Sequence, residues 1–284
     1  MKTRRDFIKL SGAGMAGTAL SRINPDIHLV SSLTEDTAIP FELGIASYTF
    51  RKFNLDDTLA MTRRLAIRNI AFKSFHLPLE ATSEEITATT AKIEKADLNL
   101  YGCGVVYMNN ESEVNQAFEY ARMAGMKLII GVPNHELLPM VEKKVKEYGI
   151  RVAIHNHGPG DEIYPTLESI YVKIKDLDPG IGMCHDIGHT QRYGEDPVKD
   201  TEKYFNRILD VHLKDVTESS ANGKNYEVGR GVIDIPGVLD VLVEKKFTGF
   251  ASFEYEKDED DPLPGLAESV GYVRGVLKMI SRSS

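Results

Sequence analysis

The sequence predicts an α/β protein built as a single-domain (β/α)8 TIM barrel. From about residue 40, short apolar runs rich in β-forming residues alternate with segments of helical periodicity, and this alternation predicts parallel strands. Eight such pairs over about 245 residues match the length that is typical of the barrel. A doubly wound sheet is the alternative, but no GxGxxG motif follows any predicted strand. The sequence therefore favours the closed barrel.

The predicted elements follow one another along the chain from apolar periodicity, which is two residues in a strand and near 3.6 in a helix. The predicted strands span residues 43–50, 69–75, 98–107, 126–132, 150–156, 181–187, 208–213 and 250–255. The predicted helices span residues 55–67, 83–96, 111–124, 137–148, 167–177, 198–205, 238–245 and 266–280. Each strand is thus followed by a helix that can return the chain to the start of the next strand.

Residues 1–39 differ from the barrel domain, which is predicted at residues 40–284. The start, MKTRRDFIK, is strongly basic, contains Arg4 and Arg5 with Phe7 two residues further on, and precedes a weakly apolar stretch at residues 10–20. This pattern resembles a twin-arginine (Tat) export signal followed by a linker, and the stretch is shorter than the about 20 residues that span a bilayer. We therefore expect an exported, periplasmic protein. The alternative is a cytoplasmic protein with a basic tail.

The composition excludes several functional classes. The chain has 34 Lys+Arg against 42 Asp+Glu, a formal net charge of −8, and no basic block beyond its N-terminus, which argues against binding to nucleic acid or to an anionic membrane. Its two cysteines, Cys103 and Cys184, form no CxxC pattern, which excludes a disulfide scaffold and a thiolate zinc site. We expect a small-molecule partner and no membrane span. The sequence does not indicate an oligomeric state.

Four polar residues are predicted to meet at the carboxyl ends of consecutive strands, where the active sites of such barrels lie. Side chains alternate between the two faces of a strand, so packing of Val211 and Leu213 against helices turns the residue between them inward. The same argument applies to the last strand, where the apolar neighbours Phe253 and Tyr255 turn Glu254 inward. The four residues predicted to converge are His155, Asp186, His212 and Glu254.

Two imidazoles and two carboxylates at one point suit a single divalent metal ion such as Mn²⁺, Zn²⁺, Co²⁺ or Fe²⁺. Without a metal, these four groups would be costly to remove from water together. For each residue alone, the alternative is a hydrogen-bonded filler of the barrel interior, and Glu254 has the further alternative of an ion pair with Lys214.

Four residues are candidates for catalysis. His157 lies at the end of the fifth strand, His189 in the loop after the sixth, and Lys73 near the end of the second. Glu254 is a candidate base as well as a metal ligand. The lysine either enters the lumen or extends along the outer surface of the barrel, and both interpretations remain open.

Three more residues are candidates for substrate binding. His76 follows the second strand into its loop, and Lys214 follows the seventh strand. Arg230 lies in a Gly-Arg-Gly turn, where a flexible backbone could bring the guanidinium over the mouth of the barrel. For Arg230, the alternative is an ordinary surface turn.

The order of the strand-end motifs adds a family resemblance. The segments ELGIASYTF, AIHNHG, GMCHDIGH, DVHLKD, GRGVIDIP and SFEYE follow one another within residues 41–280. With these motifs the chain resembles the sugar phosphate isomerase/epimerase family, the xylose isomerase-like TIM barrels. The resemblance implies a metal held by a Glu, an Asp, a His and a second Glu from strands five to eight. Asp186, His212 and Glu254 match the last three, and His155 stands where the first Glu is expected.

The resemblance also implies chemistry next to the carbonyl of a carbohydrate. A bound metal would polarise the carbonyl, and a positioned base would remove the α-proton. Reprotonation would make the chain a metal-dependent sugar isomerase or epimerase, which is the function we expect. Loss of a β substituent would make it a lyase, and exported relatives resemble 3-keto-glycoside lyases. An exported enzyme is expected to act on a non-phosphorylated sugar.

Two other classes remain as alternatives. An AP-endonuclease-type relative has a similar barrel with a basic DNA-binding face, which the acidic net charge opposes. A non-catalytic sugar-binding barrel with a degenerate metal site is the other alternative, and it is motivated by His155 in place of a glutamate. The sequence does not assign acid and base among His157, His189, Lys73 and Glu254.

Overall fold

A computed structural model describes residues 39–283 of the chain. The barrel strands are β1 (Glu42–Ala46), β2 (Asn69–Phe72), β3 (Asn99–Met108), β4 (Leu128–Pro133), β5 (Arg151–His155), β6 (Ile181–Asp186), β7 (Ile208–Leu213) and β10 (Phe250–Phe253). They are parallel and close into a ring in the order β1-β10-β7-β6-β5-β4-β3-β2. Two short strands, β8 (Asp215–Val216) and β9 (Asn225–Tyr226), form a separate antiparallel pair. The predicted (β/α)8 barrel is confirmed.

Helices connect the strands in the described part of the chain. They are α1 (Leu55–Arg64), α2 (Ser83–Lys95), α3 (Glu111–Met123), α4 (Leu138–Tyr148), α5 (Leu167–Ile174), α6 (Ile187–Tyr193), α7 (Pro197–Tyr204), α8 (Ile235–Glu244) and α9 (Leu263–Ser283). Side-chain caps fix several of their starts: Asn54 accepts a hydrogen bond from the first turn of α1, and Thr82 forms a reciprocal capping box with Glu85 in α2. Such caps satisfy N–H groups that have no partner within the helix.

The barrel interior below the strand ends is filled by side chains. Six residues form this inner layer: Ala71, Tyr101, Leu128, Ile130, Ala153 and Cys184. The ring of Tyr101 stacks on Phe250 with centroids 3.8 Å apart, and its hydroxyl lies 2.6 Å from the Ser252 hydroxyl. Because this layer closes the interior, the polar residues at the carboxyl ends of the strands lie above a packed base.

The structure corrects two element predictions. The first strand ends at Ala46, and residues 47–50 of the predicted strand form a 3₁₀ turn, Ser47–Phe50. The backbone N–H of Lys73 donates to the Ser47 hydroxyl, so this turn is tied to the end of β2 instead of continuing the ladder. The second correction concerns the segment after β6. The structure has a helix there, α6, which the sequence does not predict. That helix has only seven residues, and the Asp186 side chain caps it.

The predicted export signal and nearly all of its linker, residues 1–38, lie outside the described residues. Between residues 39 and 283, no helix has the length and apolar character that crossing a bilayer requires. All residues of the polar cluster and cavity described below lie within this range.

Candidate metal centre

Four strand ends converge on one buried cluster. His155 closes β5, Asp186 closes β6, His212 lies in β7, and Glu254 directly follows β10. The register places Asp186 beside His212 across the β6–β7 pair. The exposed fraction is 1% for His155, 0% for Asp186, 1% for His212 and 6% for Glu254. The structure therefore brings together the four residues that the alternation of side chains predicts to converge.

The distances within the cluster are those of groups that share one centre. His155 Nε2 lies 3.1 Å from His212 Nδ1 and 3.6 Å from Asp186 Oδ2. His212 Nδ1 lies 3.9 Å from Asp186 Oδ2 and 3.3 Å from Glu254 Oε2. One donor atom from each of the four residues lies within 4.8 Å of all the others.

This cluster fits a divalent metal ion. Imidazole and carboxylate ligands lie about 2.1 Å from zinc, so neighbouring ligand atoms in a tetrahedral site lie about 3.4 Å apart, which the observed separations bracket. The donor set of two imidazoles and two carboxylates also suits Mn²⁺, Co²⁺ and Fe²⁺. In addition, Asp186 Oδ2 is buried and accepts no well-aligned hydrogen bond from the described residues. A divalent cation could take this oxygen only in competition with the ammonium of Lys214, which lies 3.0 Å from it.

Burial and charge act differently on the two imidazoles. Burial lowers the pKa of His155 to about 4, which favours the neutral form that a metal ligand needs. Burial also opposes protonation of His212, but the carboxylate of Glu254 outweighs it and raises the pKa of His212 to about 9. The two rings lie within hydrogen-bond distance of each other, and the donor is set by their tautomers.

Lys214 lies inside the cluster, not over a substrate as the sequence predicts. Its ammonium nitrogen lies 3.0 Å from Asp186 Oδ2, 2.8 Å from Glu254 Oε2 and 2.5 Å from Glu256 Oε1. Against the effect of burial, these carboxylates raise the pKa of Lys214 well above its usual range. A Cβ at Gly188 would lie 2.7 Å from Lys214 Cγ, so the glycine gives the lysine room. The lysine neutralises the carboxylates that would hold a metal.

We expect Lys214→Met to lower the Tm of the metal-free protein and to enlarge the rise in Tm that Mn²⁺ or Zn²⁺ produces. Removing one partner of a buried ion pair costs about 3–5 kcal/mol because the other charge stays buried. A divalent ion would then supply the missing charge without competing with an ammonium for Asp186 and Glu254. Thermal unfolding with chelator and with metal measures both effects.

The matched control for this prediction is Lys257→Met. Lys257 pairs with the buried carboxylate of Glu227 outside the cluster, so its loss is expected to lower Tm and to leave the metal-dependent rise as in the wild type. A rise in Tm for Lys214→Met that is equal to or smaller than that of the wild type would contradict competition between the lysine and a metal.

A cavity of about 270 Å³ opens next to the cluster. The residues that line it are Tyr48, Lys73, Val105, Tyr107, His155, His157, His189, Glu254 and Glu256. The four predicted catalytic residues, Lys73, His157, His189 and Glu254, are all among them. Lys73 therefore enters the lumen, which decides between the two orientations that the sequence leaves open.

Several titratable side chains line the cavity. Burial lowers the pKa of His189 to about 3 and also lowers the pKa of His157. Burial likewise lowers the pKa of Lys73, whose ammonium donates a hydrogen bond to the carbonyl of Val105. His189 Nε2 lies 3.8 Å from Asp186 Oδ2. The cavity thus combines one metal-facing carboxylate with neutral imidazoles and a lysine.

The structure does not bring His76 and Arg230 to this cavity. His76 is buried, and its ring nitrogens lie 2.9 Å from the Thr58 hydroxyl and 3.0 Å from the Ser47 hydroxyl, so it joins α1 to the turn after β1. The guanidinium of Arg230 pairs with Glu268 on α9. Neither residue supports its predicted role in substrate binding, because local partners hold both side chains.

Four cavity residues are absent from the sequence prediction: Tyr48, Val105, Tyr107 and Glu256. Val105 and Tyr107 lie near the carboxyl end of β3, and this position in a barrel strand is a signal that could have identified them. Tyr48 lies in the 3₁₀ turn after β1, where the sequence predicts a continuing strand.

The chain matches known enzymes in sequence. It is 32% identical over 159 residues to the inosose dehydratase of Clostridium tetani, a match that covers 50% of this chain and 51% of that enzyme. The chain thus spans about half the length of this relative. It is 25% identical over 252 residues to the inosose dehydratase of Bacillus anthracis, covering 80% of this chain and 82% of that enzyme. The prediction that the chain is an enzyme is confirmed.

Solved structures and a family description agree with the fold. An L-ribulose 3-epimerase matches with a TM-score of 0.69 and 16% identity, covering 85% of this chain and 96% of that chain. The IOLI protein with a bound zinc atom matches with a TM-score of 0.66 and 16% identity, covering 85% and 98%. At such identities, the likeness shows a common fold. The family described as xylose isomerase-like TIM barrel matches residues 113–276, more than half of the chain. The chain therefore belongs to the xylose isomerase-like TIM barrel family.

Proposed function

We propose that the chain is a metal-dependent lyase that removes the proton next to the carbonyl of a non-phosphorylated carbohydrate and expels a β substituent. The observation that carries this proposal is the buried four-residue cluster at the edge of a cavity lined by titratable side chains. A relative that matches over most of its length is an inosose dehydratase, and a dehydratase removes water. This supports elimination as the outcome.

Glu254 is the candidate base. A divalent ion held by His155, Asp186, His212 and Glu254 would polarise a carbonyl as a Lewis acid. Glu254 Oε2 faces His212 and Lys214, which leaves Oε1 to accept a proton from the carbon next to that carbonyl. Against the effect of burial, the ammonium of Lys214 holds the pKa of Glu254 well below its usual range, so the carboxylate is present as the anion.

His155 favours elimination over epimerisation by two carboxylates. It stands at the position where the family resemblance implies a glutamate, and its Nε2 faces His212 and Asp186. Epimerisation with paired glutamates needs one carboxylate on each face of the substrate. Elimination needs one base and a proton donor for the leaving oxygen. His157, His189 and Lys73 are the candidate donors, since all three line the cavity.

The charge of the cavity supports a substrate without phosphate. Among the described residues that line it, Lys73 is the one lysine or arginine, and its ammonium already donates to the Val105 carbonyl. Two carboxylates, Glu254 and Glu256, line the same cavity. Apart from the proposed metal, a phosphate dianion would meet one ammonium and two carboxylates on the cavity wall.

Incubation of the Mn²⁺-loaded protein with a methyl 3-keto-glucoside in D₂O tests the proposal. Removal of the proton at C2 and loss of the C1 substituent would release methanol and leave an unsaturated ketone, with no change in oxidation state overall. Methanol release by the wild type, and none by His212→Ala, is the expected result. Absence of both methanol release and deuterium uptake at C2 would contradict the proposal.

Isomerisation or epimerisation is the second candidate function. It is favoured by the three additional proton-carrying side chains in the cavity, because any of them could return a proton to the carbon that lost it. Deuterium uptake from D₂O into a free ketose, without release of a leaving group from the glycoside, would identify this function in the same experiment.

We also propose that residues 1–39 direct export through a twin-arginine pathway, on the basis of Arg4, Arg5 and the weakly apolar stretch after them. The variant with Arg4→Lys and Arg5→Lys keeps the charge and is expected to remain in the cytoplasm when the full chain is produced in a Tat-competent bacterium. Fractionation of periplasm and cytoplasm measures this. Equal periplasmic delivery of both chains, or cytoplasmic retention of the wild type, would contradict the proposal.

A further inference from the structure

We infer that the substrate is a glycoside with an aromatic aglycone, and that this aglycone binds to two rings that line the cavity and to a third that packs against one of them. The rings belong to Tyr48, Phe75 and Tyr107, which we call the aromatic wall. The inference rests on the proposed function, because the metal cluster is what places the reacting sugar ring. It adds a second binding subsite beyond that ring and a chemical class for the group that leaves.

The aromatic wall and the metal cluster belong to different parts of the barrel. Tyr48 lies in the turn after β1, Phe75 lies in the loop after β2, and Tyr107 lies near the end of β3. These three strands are neighbours in the ring. The cluster comes from β5, β6, β7 and the end of β10, which are also neighbours. A ligand that contacts the cluster at one end can therefore reach the aromatic wall at the other.

The aromatic wall exposes an unusual amount of ring surface for a folded chain. Phe75 is 53% exposed and Tyr107 is 47% exposed. The rings are held by contacts with aromatic neighbours: the centroids of Tyr48 and Phe75 are 5.9 Å apart, and Tyr107 stacks on His157 with centroids 5.8 Å apart. Fixed, exposed rings beside a polar cavity are typical of ligand binding, because aromatic stacking adds to the free energy of binding when a second ring covers them.

The size of the cavity indicates what the aromatic wall would contact. At about 270 Å³, the cavity is at the lower limit of pockets that enclose a drug-sized ligand, about 300–1,000 Å³. A single sugar ring fits this space, and a larger glycoside does not. With the carbonyl directed to the cluster, the proposed pose has the β substituent extend toward the rim. A bulky substituent must therefore lie over the rim, where Phe75 and Tyr107 are exposed.

Charges near the aromatic wall favour a neutral aromatic group. The guanidinium of Arg51 lies 5.1 Å from the Tyr48 ring centroid, and the ammonium of Lys73 lies 5.9 Å from that of Tyr107. Arg51 pairs with Glu259, so the ammonium of Lys73 is the charge that would repel a cationic aglycone. A neutral ring can stack on the exposed faces without this cost, whereas an aliphatic group of the same size lacks the quadrupole that favours aromatic pairs.

Binding of unoxidised glucosides to the Mn²⁺-loaded protein tests the inference, because these ligands have no ketone and cannot be eliminated. Calorimetry would compare phenyl, cyclohexyl and methyl β-glucoside. We expect phenyl glucoside to bind about 10-fold more tightly than methyl glucoside, as expected for stacking worth about 1.4 kcal/mol. The affinity for cyclohexyl glucoside should lie between these two.

Variants of Phe75 test the role of its ring. Phe75→Ala is expected to reduce the ratio of the phenyl glucoside affinity to the methyl glucoside affinity at least about 3-fold, and Phe75→Trp is expected to retain this ratio.

Tyr193→Ala is the matched control, since Tyr193 is 46% exposed on α6 and, unlike Phe75, has no ring contact with a described residue that lines the cavity. It should leave the ratio as in the wild type. Equal binding of phenyl and methyl glucoside, or an unchanged ratio in Phe75→Ala, would overturn the inference even if methyl 3-keto-glucoside is cleaved. Failure of that cleavage, in contrast, would contradict the proposed function. The two failures are therefore distinguishable.

Discussion

A chain with His212→Ala is expected to retain no stoichiometric metal after dialysis and to lose at least about 10³-fold in α-proton removal, which corresponds to about 4 kcal/mol. His212 Nδ1 is close to donor atoms of the other three cluster residues. Alanine removes one of four ligands, and His189, whose Nε2 lies 3.8 Å from Asp186 Oδ2, is not among the residues whose donor atoms all lie within 4.8 Å of one another. Elemental analysis of the dialysed protein and deuterium uptake by the substrate measure the two effects.

His135→Ala is the control for metal content. His135 lies in the short turn after β4, and its ring contacts Tyr164, so this variant is expected to keep one metal per chain. The more conservative His212→Asn guards against misfolding as an explanation, since far-UV circular dichroism should show a folded barrel for both variants. One equivalent of metal in a folded His212→Ala protein would contradict the assignment of the centre.

Glu254→Gln is expected to reduce α-proton exchange by about 10²–10⁴-fold, the range expected for loss of a general base. The amide keeps an oxygen for the metal and nearly the same shape, but it cannot accept the proton. We therefore expect the affinity for Mn²⁺ to fall by a smaller factor than the rate of α-proton exchange. Deuterium exchange at saturating Mn²⁺ separates the two effects, because saturation removes the contribution of metal affinity.

The control for this prediction is Glu256→Gln. Glu256 also lines the cavity and pairs with Lys214, but its side chain is 36% exposed and it is not one of the four cluster residues. We expect less than about a tenfold loss, which is the scale of one partly exposed charge interaction. If the loss in Glu256→Gln equals that in Glu254→Gln, Glu254 is not the specific base.

The strand-end residues could be predicted because strand geometry is regular. A period of two fixes the face of each side chain, and apolar neighbours such as Val211 and Leu213 must pack against helices, so His212 points inward. The same regularity places Asp186 beside it. Both inferences, for His212 and for Asp186, depend only on the residues within each strand and on the rule that parallel barrel strands end at the same rim.

The errors lie where that regularity ends. Arg230 pairs with Glu268, 38 residues away, and the path of a loop between strands is not encoded by any periodicity. His76 is directed into the protein by Ser47 and Thr58, and its contact with Ser47 depends on the turn that replaces the end of the predicted first strand. Lys214 immediately follows β7, but the carboxylates that surround it come from other strands.

Pairing of β1 with β10 closes the ring and places strands from the two ends of the barrel side by side. The stretch that matches the family description begins at residue 113, after the aromatic wall and before β4. The four cluster residues thus lie in the second part of the chain, whereas the aromatic wall and Lys73 lie in the first. Recombination near residue 110 between two relatives should exchange the preferred glycoside and leave metal affinity with the donor of the second part.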